Sequence, residues 1–60
     1  MRSPAAGEYA LRVLECLDEP RTFSELLKIS GLKARELVFA LDELRRKGLI
    51  IKDEYWFKRR

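Results

Sequence analysis

The residues best equipped for chemistry in this chain are cations, and they crowd into one half of it. Residues 31–60 hold nine Lys and Arg (Lys33, Arg35, Arg45, Arg46, Lys47, Lys52, Lys58, Arg59 and Arg60) against five Asp and Glu, whereas residues 1–30 hold four against five. The formal net charge is +3. A positive half-chain is what a nucleic-acid face needs, because Lys and Arg contacts to phosphate supply much of the affinity. Many soluble domains carry as much charge with no polyanion partner, so charge alone does not decide. Lys58-Arg59-Arg60 reads equally well as a solvated, frayed end.

Other chemistries find few residues. There is no His, so the commonest general base and metal ligand is missing. Cys16 is the one cysteine. It lies beside the apolar side of an amphipathic segment and reads as a small buried hydrophobe rather than a reactive thiol. Ser3, Ser24 and Ser30 each have a helix-cap or helix-end explanation. No glycine-rich phosphate loop and no carboxylate pair in a cleft is evident. The expectation is a protein that is not an enzyme and has no resident metal or cofactor.

Sixty residues make one domain, near the lower size limit for unaided folding, and a hydrophobic fraction of 47% suffices for a single core. No apolar run approaches the ~18 residues that span a bilayer. Met1-Arg2-Ser3-Pro4 leads into Glu8 and Arg12 without the unbroken apolar stretch of a signal peptide. A cytoplasmic protein with no membrane partner is expected. Asn and Gln are absent along with His, while 38% of residues are charged. That bias is reported for hyperthermophile proteins and points to a thermophilic source.

The cations must be positioned by local structure, and the apolar spacing predicts what that is. Ser3-Pro4 is a helix start, cap followed by first-turn proline. Ala6, Tyr9, Ala10, Val13, Leu14 and Leu17 then recur at helical spacing, and Pro20 ends the helix. Leu11 falls off the apolar stripe. Arg21-Thr22 is a short extended link. Thr22-Phe23-Ser24-Glu25 is a capping box for a helix reaching Ser30, with Phe23, Leu26, Leu27 and Ser30 on one face. Gly31 suits the left-handed closing position, and Leu32 turns into the core. A third helix runs from about Lys33 to Lys47, with Leu37, Ala40, Leu41 and Leu44 inward. Gly48 ends it.

Leu49-Ile50-Ile51-Lys52 and Tyr55-Trp56-Phe57-Lys58 are strand-like runs separated by Asp53-Glu54. A two-residue turn pairs 52 with 55, 51 with 56 and 50 with 57. Ile50, Tyr55 and Phe57 then share one face, and Leu49, Ile51 and Trp56 the other. A three-residue loop exchanges the two sets. Asp-Glu lacks the glycine that favours a tight turn, so both registers stay open.

The run Thr22 to Leu32, then Leu37, Leu41, Leu44, and then Arg45-Arg46-Lys47-Gly48-Leu49-Ile50 resembles the winged helix-turn-helix superfamily. It is most similar to small prokaryotic regulators of the ArsR and MarR type, which have archaeal relatives. The resemblance covers nearly the whole chain. It implies a mostly helical fold of three helices with a two- or three-stranded wing, and a transcriptional regulator that binds double-stranded DNA as a homodimer. Helix 33–47 would enter the major groove and wing 49–58 would follow the backbone. Carried onto this sequence, the contact residues are Lys33, Arg35, Phe39, Arg46, Lys52, Lys58, Arg59 and Arg60. Arg35 suits a guanine or a phosphate, and Phe39 a thymine methyl.

This sequence departs from the family pattern at several places. Phe39 stands where a polar contact is usual, and Lys33 where a Ser or Thr cap is usual. Asp42 and Glu43 share the outward face expected for the third helix, flanked by Glu36 and Val38. The wing tip is acidic. A second function therefore stays in view: a protein-docking winged helix anchored by Phe39, Val38 or Trp56. For a homodimer, the first helix (Tyr9, Leu11, Leu14) or the exposed hairpin face (Trp56) is the available contact.

Overall fold

A computed structural model describes residues 5–60. The order is α1 (Ala5–Cys16), β1 (Arg21–Thr22), α2 (Phe23–Ser30), α3 (Ala34–Arg46), β2 (Ile50–Asp53) and β3 (Trp56–Arg59). The three strands are antiparallel, in the order β1-β3-β2. This is a winged-helix arrangement, with β1 as the third strand of the wing. The expected start at Ser3-Pro4 and the side chain of Ala6 lie outside the described residues. No helix among the described residues is long and apolar enough to cross a membrane.

The core is what the helical spacing dictates. Val13 of α1, Leu26 of α2, and Leu37 and Ala40 of α3 are fully buried. Ala10, Leu17, Leu32, Leu41, Leu44, Ile50 and Phe57 complete the cluster, with Cys16, Tyr9 and Phe23 half-buried against it. Truncating a residue such as Leu37 to Ala costs about 2–5 kcal/mol. That is a large share of the stability available to so small a domain.

Helix ends are settled largely by local chemistry. The Glu25 amide donates to Thr22 Oγ1 at 3.3 Å, and the Thr22 amide donates to Glu25 Oε1 at 3.1 Å. The last turn of α2 closes on Gly31 in the left-handed region, φ 73°. α3 ends in a Schellman turn. The Gly48 amide, at φ 74°, donates to Arg45 O, and the Leu49 amide donates to Leu44 O, both at 3.0 Å. At the start of α3 a lysine replaces the usual cap. Its side chain has no acceptor, and only half a capping box forms, the Lys33 amide donating to Glu36 Oε1 at 3.0 Å.

α1 is different, because no basic residue stands in its own last turn. Its carbonyls are met by arginines from the sheet. Arg21 Nε donates to Cys16 O at 2.7 Å, and its far nitrogen pairs with Asp18 at 2.9 Å. Arg59 Nε donates to Leu17 O at 3.0 Å, and Arg59 Nη2 donates to Leu14 O at 2.7 Å.

The hairpin register corrects the sequence expectation. The pairs are Ile50 with Arg59, Ile51 with Lys58, Lys52 with Phe57 and Asp53 with Trp56. The loop is Glu54-Tyr55, not Asp53-Glu54, with Glu54 at φ 57°. The shift is two residues, so Ile50 and Phe57 still share the core face, and Ile51 and Trp56 the outer one. Tyr55 leaves the strand for the loop. The observed register has a physical reason: it sets Lys52 over the Phe57 ring, 5.8 Å from its centroid, and brings Arg59 to the end of α1.

Arg59→Ala is therefore expected to destabilise the fold by about 1–2 kcal/mol, the scale of lost charge-assisted hydrogen bonds. Thermal denaturation should show a midpoint lowered by roughly 4–8 °C per kcal/mol at this chain length. Arg59→Lys should recover only part, since an ammonium lacks the fork that spans two carbonyls.

Candidate nucleic-acid interface

α3 carries the candidate site on the face it does not bury. Leu37, Ala40, Leu41 and Leu44 point into the core. A half-turn away stand Arg35, Phe39, Asp42 and Arg46, all exposed, with Lys33 exposed at the N-cap. Val38 and Phe39 are 56% and 57% exposed. From Arg35 to Arg46 the face runs about 16 Å at 1.5 Å per residue. Arg46 Nε meets Asp42 Oδ2 at 3.1 Å, with both side chains more than half exposed. An exposed i,i+4 pair of this kind is worth about 0.5 kcal/mol, so either partner exchanges readily for another ion.

The flank of α3 toward α1 holds the acids. Glu36 Oε2 accepts from the Tyr9 hydroxyl at 2.9 Å, while Oε1 holds the Lys33 amide. Seven residues on, in the same stripe, lies Glu43. The sequence reading placed Glu43 on the outward face, and the structure corrects this. Its side chain is only 25% exposed, its Oε2 pairs with Lys47 Nζ at 3.2 Å, and its Oε1 is buried without a hydrogen bond among the described residues. The cause is angular: position 43 falls beside buried Ala40, not beside Asp42.

The other flank faces the wing. Val38, Leu41, Asp42 and Arg45 line a groove shared with Phe23, Lys52 and Phe57. A second hollow continues from it along Lys52 to the wing tip at Glu54 and Tyr55. Arg45 is a residue the sequence reading left out of the contact set, though it lines this groove. Its position seven residues after Val38 is legible, but its meeting with Lys52 depends on where the wing folds.

The eight expected contact residues thus divide. Lys33, Arg35, Phe39 and Arg46 share the outward face of α3, and Lys52 stands at the edge of that face, across the groove. Lys58 alternates onto the outer face of the sheet beside Ile51, and Arg60 extends that face, its amide donating to Leu49 O. Arg59 is committed to α1. Asp53 stands opposite Trp56 on the outer face too, so the wing turns this acid away from α3 and Lys52 toward it. Among the described residues no group of three or more Cys, Asp or Glu is placed to hold a metal ion.

Comparison of the chain with protein-family models, with curated proteins and with solved structures gives no match.

The Tyr9–Glu36 contact fixes the start of α3 against α1, and it titrates. The Lys33 amide and the Tyr9 hydroxyl hold the Glu36 carboxyl below its usual range, and the same carboxylate raises the Tyr9 phenol. A lowered carboxyl stabilises the fold above its unfolded pKa, and that contribution is lost as pH falls through the folded one. A raised phenol contributes below its unfolded pKa and loses that contribution as pH rises through the folded one. Denaturant titrations across pH should show both limbs. Glu36→Gln should flatten the acid limb, its one carbonyl oxygen accepting from the Lys33 amide and its NH2 donating to the Tyr9 oxygen, and Tyr9→Phe should flatten the alkaline limb.

Proposed function

We propose that this protein binds double-stranded DNA and acts as a transcriptional regulator, with α3 in the major groove and the Lys52 side of the wing on the adjoining backbone. The observation that carries this reading is the state of α3. Its outward face is uncovered from Lys33 to Arg46, cationic at both ends, and bordered by Arg45 and Lys52. The acids that counted against DNA in the sequence are largely disposed elsewhere. Glu43 is three-quarters buried and paired with Lys47, Asp53 faces the far side of the sheet, and Asp42 is matched by Arg46. Glu54, at the wing tip, still faces the hollow beside Lys52.

Roles follow from position. Lys33 and Arg35 lie in the first turn, the part of a recognition helix that reaches base edges. Arg35 has the fork for guanine O6 and N7, and Phe39, one turn on, can pack on a thymine methyl. Arg45, Arg46 and Lys52 are backbone contacts. Lys58, Arg59 and Arg60 are not part of this surface.

A second reading rests on a specific observation, the adjacent exposed pair Val38 and Phe39. These make an apolar anchor for a protein partner on the same helix face.

Duplex binding measured against salt separates the two. Three to five phosphate contacts give a log–log slope of about −3 to −4.5. Arg35→Ala should weaken binding by about tenfold or more, and Lys52→Ala should reduce the slope by about 1. Lys58→Ala, on the far face of the sheet, should leave affinity unchanged. Absence of binding at low salt overturns the DNA reading. The docking reading falls if Phe39→Ala leaves every protein association of the chain unaltered.

A further inference from the structure

Asp42 is an acid at the centre of the cationic face of α3. At about 100° per residue, Arg35, Phe39, Asp42 and Arg46 fall within about 60° of one another, opposite the buried Leu37, Ala40, Leu41 and Leu44. They form a single file along the helix in the order cation, aromatic, anion, cation. Asp42 lies about 10 Å beyond Arg35 at 1.5 Å per residue, with Phe39 between them. Arg45 and Lys52 border it on the wing side.

The fold makes little use of this acid. Its side chain is 56% exposed, and its one ion pair among the described residues is with Arg46, 3.1 Å from Oδ2. An i,i+4 pair as open as this adds little to a helix and exchanges readily. On a duplex, Arg46 turns to a phosphate and leaves the Asp42 carboxylate facing the base edges. An ionised carboxylate only accepts hydrogen bonds. The acceptors of the major groove, guanine O6 and N7 and thymine O4, repel it, and the amino groups of cytosine and adenine satisfy it. Adenine N6 stands beside N7, a second acceptor that a carboxylate cannot answer. Cytosine N4 has no such neighbour on its own base and is the better match.

We infer that Asp42 is a specificity-determining residue, which selects a C·G pair by accepting a hydrogen bond from cytosine N4. The inference rests on the DNA reading and names the class of duplex that the α3 face takes. A guanine lies at Arg35, and a cytosine lies roughly two to three base pairs further along the groove, at ~3.4 Å per pair. Phe39 covers a pair between them. Asp42 acts chiefly by exclusion. A duplex with no amino donor at that step leaves a desolvated carboxylate unpaired among phosphates, and the unmet charge costs more than the met one contributes. In the free protein Arg46 is its counter-charge, so the acid does not disturb the helix that carries it.

The test is selection from a duplex pool randomised over about ten base pairs, one helical turn, by the intact chain and by Asp42→Asn and Asp42→Ala. Titrations of the selected duplex and of single-pair variants follow. The wild-type chain should enrich a cytosine at a fixed step from a guanine, and exchanging that C·G pair for T·A should weaken binding about tenfold. Asp42→Asn should move the preference at that step to adenine, because an amide meets both N6 and N7. Asp42→Ala should lose the preference there, keep the guanine, and bind unselected duplex more tightly than wild type. A role in helix stability alone would move none of these base preferences. An enriched motif that survives both substitutions overturns the inference. So does a wild-type chain that binds duplex with the expected salt slope and selects no cytosine; in both cases the DNA reading stands. A chain that binds no duplex at low salt removes the DNA reading, and this inference with it.

Discussion

The end of α1 is the point on which the rest of the structure depends. A helix terminus leaves carbonyls without partners, and this one has no basic residue of its own to meet them. Arg21 and Arg59 do so from β1 and β3, at 2.7–3.0 Å. Both strands are thereby pinned to the same helix end. The hairpin cannot slide without withdrawing Arg59 from Leu14 and Leu17, so the contact acts as a lock on register as well as a cap. A third arginine repeats the device more loosely, Arg12 donating to Ser30 O at 3.4 Å at the end of α2.

From that lock the geometry of the outward surfaces follows. With β3 fixed, Lys52 lies over Phe57 and looks across the groove to Arg45 and Val38. α3 is held independently at both ends. Its start is tied to α1 through Tyr9 and Glu36, and its finish turns into β2 through the Schellman closure at Gly48. Fixing both ends costs the helix its flanks and leaves one face free. That face is the one with Arg35, Phe39 and Arg46 on it. Such a division, with interior residues and flanks spent on the fold and one helix face left over, is how a small scaffold presents a site.

What was legible in the sequence was what is local. The Thr22–Glu25 box, the left-handed glycines 31 and 48 and the apolar stripes of all three helices are written within a few residues of where they act. The brief third strand at Arg21-Thr22 was implied only by the winged-helix resemblance, which left the wing at two or three strands. What escaped depends on partners far along the chain. Arg59 reads as a tail cation because its carbonyl partners are 42 and 45 residues away. The hairpin turn slipped because Asp-Glu-Tyr carries no glycine to mark the loop, and the deciding contacts lie on α1. Glu43 was misplaced because a position midway between the inward and outward stripes is assigned only by the neighbouring helix. The exposed Phe39 and Val38 were legible from spacing alone.

The outward face of α3, with Lys52 beside it, is the surface proposed to meet duplex DNA. Backbone amide chemical shifts followed during titration with a short duplex at low salt test this most directly, since they report each residue separately. Shifts are expected at 33–46 and at Lys52, with Lys58, Arg60 and the outer face of the sheet unmoved. Shifts confined to the outer sheet face, or no shifts at all at saturating duplex, would contradict it.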